Sequence, residues 1–374
     1  MESKNFALAN CTFALTGASE IAERLAGLLT RLESPAPQVD LELHFVSELG
    51  GWQGQPYVRQ DHCEVGEQAF RLLDRVWHVQ MEPLRRPARV TIAPRHMGLV
   101  KGQIKAIKKT WRGLLVHGRG GYIHPLKRLV YYVYMPMIEL ALLRKASTFV
   151  HCSAIERDGR VTLFPASGGV GKTSLMGLYI DEGWKFLADD MCAIAADGTA
   201  HLHPLPLHIY KFHEVHSPTL VARMRDGMAG WDRLLWSALG KIRPADELVR
   251  WVPPEQVLGA EGLTWRGRIA QVVYMHRHNG ASEFAVQPVA AGDIAGLMAS
   301  VLLDEIHALP AMSILVHTCR SFEWLPNIGE LYQQIRGVLA SALQPAKCYM
   351  LTVPQKASVA DIHGFIRQKG LLER

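Results

Sequence analysis

Nine consecutive residues, Ala166, Ser167, Gly168, Gly169, Val170, Gly171, Lys172, Thr173 and Ser174, restrict the fold of this chain more than any other stretch. Glycines at 168, 169 and 171 let successive backbone N–H groups converge on one concave point, which residues bearing a Cβ rarely allow. Lys172 offers positive charge to the same point, and the hydroxyl of Thr173 offers an oxygen to a divalent cation. Such a loop needs a strand before it and a helix after it. Residues 161–164 are apolar and β-prone, and 173–179 read as a helix that Gly183 stops. Ala166 stands at the first position of the G-x-x-x-x-G-K-[ST] spacing, where a residue shapes the turn rather than touching phosphate, so the pattern holds.

Upstream, residues 149–155 and 161–164 read as two strands joined by Asp158-Gly159, a dipeptide suited to a tight hairpin turn. Downstream, the short apolar strand Lys185–Ala188 ends in Asp189 and Asp190, seventeen and eighteen residues after Lys172. One carboxylate can hold Mg²⁺ and the other can take the proton of an attacking hydroxyl, a division of labour that suits phosphoryl transfer better than nucleotide binding alone.

The run from His151 to Asp190 resembles the catalytic core of the bacterial HPr serine kinase/phosphorylases and of the HPr-kinase-related kinases. In that family a His opens a hairpin twenty-one residues before the loop lysine, and an Asp-Asp pair closes the unit. His151, Lys172, Asp189 and Asp190 keep that arrangement over about forty residues. The resemblance implies an α/β phosphoenolpyruvate-carboxykinase-like nucleotide-binding fold for the C-terminal domain, with ATP and Mg²⁺ as cofactors. It further implies Asp189 as general base, Asp190 and Thr173 on the metal, Lys172 bridging the β- and γ-phosphates, and His151 tuning the acid pair. Oligomers are a family trait, so a homo-oligomer is compatible with it.

Where the HPr enzymes carry an acidic magnesium-binding residue and a glycine-rich signature, this chain has residues 203–211, so HPr itself is not the favoured substrate. Lys211 in that stretch and Arg277, just past a strand at 270–275, are candidates for stabilising charge on the transferring group. The histidines at 201, 203, 208, 213 and 216 do not make a zinc motif, because Pro204 and Pro206 keep the first three off a shared helix. Arg243 and Arg250 are weaker candidates for meeting an anionic substrate. The expected acceptor is a hydroxyl, favoured as Ser or Thr of a peptide or protein, with a small biosynthetic alcohol or a non-catalytic nucleotide sensor as rivals.

At 374 residues, 48% hydrophobic and 20% charged, the chain is long enough for two packed domains. The expected division is an α+β domain over 1–145, which helps position the substrate, and a kinase-like domain over 146–374 with a helical insertion at about 213–260. Strands are expected near 39–47 and 88–93, and an amphipathic basic helix at 98–111. The net charge of +6 is uneven: between Glu82 and Glu139 there is no acidic residue, while Arg85, Arg86, Arg89, Lys127 and Arg128 are among twelve basic ones. A positive field there would draw an anionic substrate, and nothing in it singles out nucleic acid. Six scattered cysteines and an N-terminus without an export pattern suit a reducing cytoplasm. The apolar stretch 129–143 is shorter than a membrane span and reads as a buried helix.

Overall fold

The computed structural model describes residues 3–51, 58–60, 63–66, 69–73, 77–82, 85–94, 124–319 and 325–372. The basic helix expected at 98–111, and the lysines and arginines of 95–119, lie outside the described residues. Two compact units emerge, with a break between Ala146 and Ser147. The second is not continuous in sequence: Ile306–Gln334 clusters with the N-terminal unit, whereas Ile335–Arg374 belongs with Ser147–Glu305.

In the N-terminal unit, alternation of apolar and polar residues gives strands with one buried face, as in the BiBiB pattern of Leu41–Phe45. Its described strands are β1 (Lys4–Leu8), β2 (Cys11–Gly17), β3 (Leu41–Phe45), β4 (Val58–Gln60), β5 (Cys63–Val65), β6 (Phe70–Leu73), β7 (Trp77–Glu82) and β8 (Ala88–Pro94). They form a mixed sheet in the order β1-β2-β3-β8-β7-β6-β5-β4, with β2, β3 and β8 parallel and the rest antiparallel. The amphipathic helix Glu20–Leu29 buries Ala22, Leu25, Ala26 and Leu29. The apolar stretch near 129–143 is helical and buried: Leu129, Val130, Tyr134, Met135, Ile138 and Leu142 are all inaccessible, and Tyr134 meets Phe13 edge-on. It winds as a π-helix over Val130–Tyr134 before returning to α at Met135–Leu143. Among the described residues no single helix is long and apolar enough to cross a bilayer.

The second unit is built on β9 (Ser147–Arg157), β10 (Arg160–Pro165), β11 (Lys185–Ala188), β12 (Met191–Ala195), β13 (Thr199–His201), β16 (Arg266–His278), β17 (Ala285–Pro288) and β18 (Lys347–Pro354), with a separate hairpin of β14 (Leu207–Tyr210) and β15 (Val249–Val252). Asp158 and Gly159 both take positive φ, 54° and 79°, so the β9–β10 hairpin closes through the turn that suits the strand twist. β9 is buried along ten of its eleven residues because it pairs with β10, β11 and β12 and both its faces are covered. β16 runs parallel to β10 and β18, and it pairs antiparallel with β13 at its beginning. The pairings β10-β9-β12-β13-β16 therefore return to β10 and close a ring. Apolar periodicity over 220–239 predicts one helix in the insertion; the structure has two, Pro218–Asp226 and Gly230–Leu239, and the chain leaves helical geometry at Ala229, between Gly227 and Gly230. The observed class is mixed α/β with several mixed sheets.

Candidate functional site

β10 ends at Pro165 and the helix Lys172–Asp181 begins at Lys172, so the glycine-rich loop occupies a strand-to-helix junction. Gly169 and Gly171 take positive φ, 79° and 103°, and Gly171 caps the helix. Around Gly168 and Gly169 no atom lies near the place of a Cβ, whereas a Cβ on Gly171 would sit 2.9 Å from Cγ2 of Val359. Ala166 and Val170 are buried and anchor the loop, while Ser167, Gly168 and Gly169 are exposed. Lys172 lies across the turn and donates to Ala166 O at 2.8 Å and Ser167 O at 3.1 Å. Ser174 is buried in the first turn, where its carbonyl accepts from Ser217 Oγ.

The aspartate doublet falls between β11 and β12, both paired with β9. In an unbroken strand two successive side chains point to opposite faces. Here Met191 N–H donates to Asp189 O at 3.0 Å, closing a γ-turn about Asp190, whose φ is 75°. Both carboxylates consequently act on Lys172: burial lowers its pKa, and Asp189, Asp190 and Glu305 oppose that shift.

Asp189 is buried and accepts from Ser153 Oγ at 2.6 Å and from Thr173 Oγ1 at 2.9 and 3.0 Å. Burial still raises its pKa above the ordinary carboxylate value, against the pull of those hydroxyls and of Lys172. Asp190 is more open, and its Oδ1 lies 3.4 Å from His151 Nδ1. On the other side of the ring, His151 Nε2 lies 3.4 Å from Glu305 Oε1, at the end of the helix Ala291–Glu305. Burial, helped by the charge of Lys172, lowers the His151 pKa to about 4, so the imidazole is neutral near pH 7.

The family resemblance implies Thr173 and Asp190 as metal ligands. In the structure the Thr173 hydroxyl donates to Asp189, and Asp190 faces His151. Two other candidates each have partners within the protein. Lys211 Nζ pairs with Glu214 Oε1 at 2.7 Å and lies over the Trp236 ring, and Glu214 also accepts from Trp236 Nε1. Arg277 donates to the carbonyls of Pro354, Gln355, Ala357 and Val170, so its guanidinium braces the glycine loop against the turn after β18. Arg250 is buried and its charge lies over Trp236. Sequence reasoning misses Glu305, Ser153 and Tyr210; both aspartates contribute to the raised pKa of Tyr210, after burial. Among the described residues no group of three or more His, Cys, Asp and Glu side chains is arranged to hold a metal.

His151, His203 and His213 are all buried, and burial is the first cause of pKa values lowered to about 4, about 3 and about 4. As the pH falls from the ordinary histidine value of 6.5 towards about 4, the unfolded chain takes up protons that the folded chain refuses. The part of the stability that depends on these rings is therefore fully present above that window and is lost as pH drops through it. We expect the urea midpoint to be clearly lower at about pH 5 than at about pH 7. A midpoint that holds level or rises on acidification would show these rings to be accessible to protons in the native state.

No family model matches the sequence, and no curated protein matches it. Among solved structures, the Hpr(Ser) kinase/phosphatase from Coxiella burnetii is similar over 60% of this chain and 97% of its own, at 8% identity and a TM-score of 0.28. That likeness is too weak to place the chain in a family.

Proposed function

We propose that this chain is a kinase that moves the terminal phosphoryl group of ATP, taken with Mg²⁺, onto a substrate hydroxyl. The observation that carries the reading is the placement of two differently treated carboxylates beside the loop lysine: Asp189 buried against Thr173 and Ser153, and Asp190 more open beside His151. Sites that perform acid–base chemistry commonly separate two like groups by environment in this way.

The residues fit a magnesium ion. Thr173 Oγ1 and the Asp189 carboxylate are hard oxygen donors already held together, and Asp189 is buried under a penalty that a cation would relieve. Mg²⁺ held there supplies positive charge to the phosphate oxygens. Lys172 adds a second charge, and Gly168 and Gly169 are exposed with open space at the place of a Cβ, so a phosphate can approach the loop backbone there. Asp190 is then the general base: it accepts the proton of the acceptor hydroxyl while that oxygen bonds to phosphorus and the bond to the leaving oxygen breaks. A neutral His151 carries one N–H. If Glu305 accepts it, Nδ1 is left as an acceptor for the proton that arrives on Asp190. We thus assign the base to Asp190 and the metal side to Asp189 and Thr173.

The favoured acceptor is Ser or Thr in a peptide or protein; a small-molecule alcohol is the alternative. Incubation with γ-labelled ATP and a desalted cell extract separates the two by the fraction that carries label. Lys172→Ala should lower transfer by about 10²–10³-fold in either case. Label released only as free phosphate, or full transfer by Lys172→Ala, would overturn the kinase reading.

A further inference from the structure

The N-terminal unit holds a cleft of about 900 Å³ that the proposed chemistry does not use. Its floor is apolar and well packed, with Leu41, Met81, Val90, Met137 and Ala141 all buried. Its described lining also carries Arg86, Arg89, Arg144 and Lys145 against a single carboxylate, Asp40. Lys145 meets Asp40 at 2.9 Å, Arg89 meets Glu42 at 2.7 Å, and Arg86 donates to Arg85 O at 3.2 Å. Asp40 is further engaged by Thr12, which donates from both its backbone and its hydroxyl.

Arg86 and Arg144 come from different elements, the segment before β8 and the residue after the helix Met135–Leu143. They lie close enough to act on each other: burial lowers the Arg144 pKa, and Arg86 lowers it further. Two guanidinium groups brought together over an apolar floor gain most from a ligand with more than one negative charge. The volume suits a small organic molecule, since ligand pockets typically hold about 300–1,000 Å³. Arg86 and Arg89 also belong to the acid-free stretch between Glu82 and Glu139, so the charge asymmetry of the sequence is partly focused on this cleft.

The geometry points to a binding site for a small phosphate monoester with an apolar body, its phosphate on Arg86 and Arg144 and its hydrocarbon part along Leu41, Met81, Val90, Met137 and Ala141. A phosphate monoester carries about −1.5 to −2 charge near pH 7 and presents three strong acceptor oxygens, two of which a planar guanidinium can engage at once. The hydrocarbon part separates this ligand from free phosphate, which the floor would not reward. The site is independent of the reading of the glycine loop.

Titration calorimetry of the full chain with butyl, hexyl and octyl phosphate, inorganic phosphate and octanol tests it. We expect one site per chain, with affinity rising about threefold to fourfold for each added methylene until the floor is covered. Inorganic phosphate and octanol should each bind at least about tenfold more weakly than octyl phosphate. The double variant Arg86→Ala/Arg144→Ala and the single variant Arg144→Glu should each weaken octyl phosphate by about tenfold or more, with the thermal midpoint and ATP binding of the protein unchanged. Equal affinity for octyl phosphate in either variant, affinity for inorganic phosphate matching that for octyl phosphate, or the absence of saturable binding would overturn the assignment. A variant with an altered thermal midpoint is replaced by Arg86→Gln/Arg144→Gln, read by the same criteria.

Discussion

Asp190→Asn should keep nucleotide affinity within about twofold while lowering turnover by about 10²–10⁴-fold. The amide matches the carboxylate in shape, so the γ-turn at φ 75° is retained, and Asn tolerates that region of backbone space well. Only the capacity to accept a proton is lost. Asp189→Asn should give a different outcome. It removes a buried charge whose pKa is raised by burial, so the folded chain is relieved of a cost above the ordinary aspartate value of 3.8 and the thermal midpoint should rise near neutral pH. It also removes the donor set shared with Thr173, so magnesium-dependent ATP binding should weaken. Equilibrium binding, single-turnover rate and thermal midpoint, measured on both variants, separate the assignments. If Asp189→Asn loses turnover at unchanged nucleotide affinity and Asp190→Asn loses affinity instead, the two roles are exchanged. Equal activity in Asp190→Asn removes proton acceptance by that group from the chemistry.

How much of this site could be read from residues alone depended on how local the determining contacts are. The hairpin turn at Asp158 and Gly159, the strand into the loop and the helix out of it are set by neighbours within a few positions, and the structure has all three. The division of roles within the doublet was not legible. Period-two alternation gives opposite faces to adjacent residues, and only the bond from Met191 N–H to Asp189 O, with Asp190 at positive φ, turns the pair onto one site. Glu305 was invisible for a different reason. It lies 154 residues beyond His151, on a helix whose pattern reports burial and not what its last side chain faces. Arg277 reads in the sequence as a candidate for charge on the transferring group, yet its four carbonyl acceptors are backbone atoms, which no side-chain pattern encodes. The break near Ala229, by contrast, had a local signal in Gly227 and Gly230 that apolar periodicity outweighed. The α/β class was legible because it follows from local strand and helix patterns, whereas the return of Ile306–Gln334 to the N-terminal unit is a property of long-range packing.

The glycine loop carries the second large effect. Gly171→Ala should lower the unfolding free energy by about 1–3 kcal/mol and weaken nucleotide binding by about tenfold or more. Two separate costs arise at this position. A φ of 103° is strained for any L residue with a side chain, and the new methyl would meet Val359 Cγ2 at 2.9 Å. Val359 opens the helix Val359–Gln368, which is held by the Ser358–Asp361 capping box, and Arg277 fixes the preceding Ala357 carbonyl. The neighbour therefore has little room to move away, so the loop must give. Adding Val359→Ala to Gly171→Ala removes the clash and leaves the backbone strain, so the double variant should recover part of the binding and not all of it. Gly168→Ala is the internal control: it has ordinary φ and open space, and should change stability by no more than about 0.5 kcal/mol. Full recovery in the double variant would make the steric contact the whole effect. Wild-type binding and midpoint in Gly171→Ala itself would mean that the positive φ at this residue is not what shapes the loop.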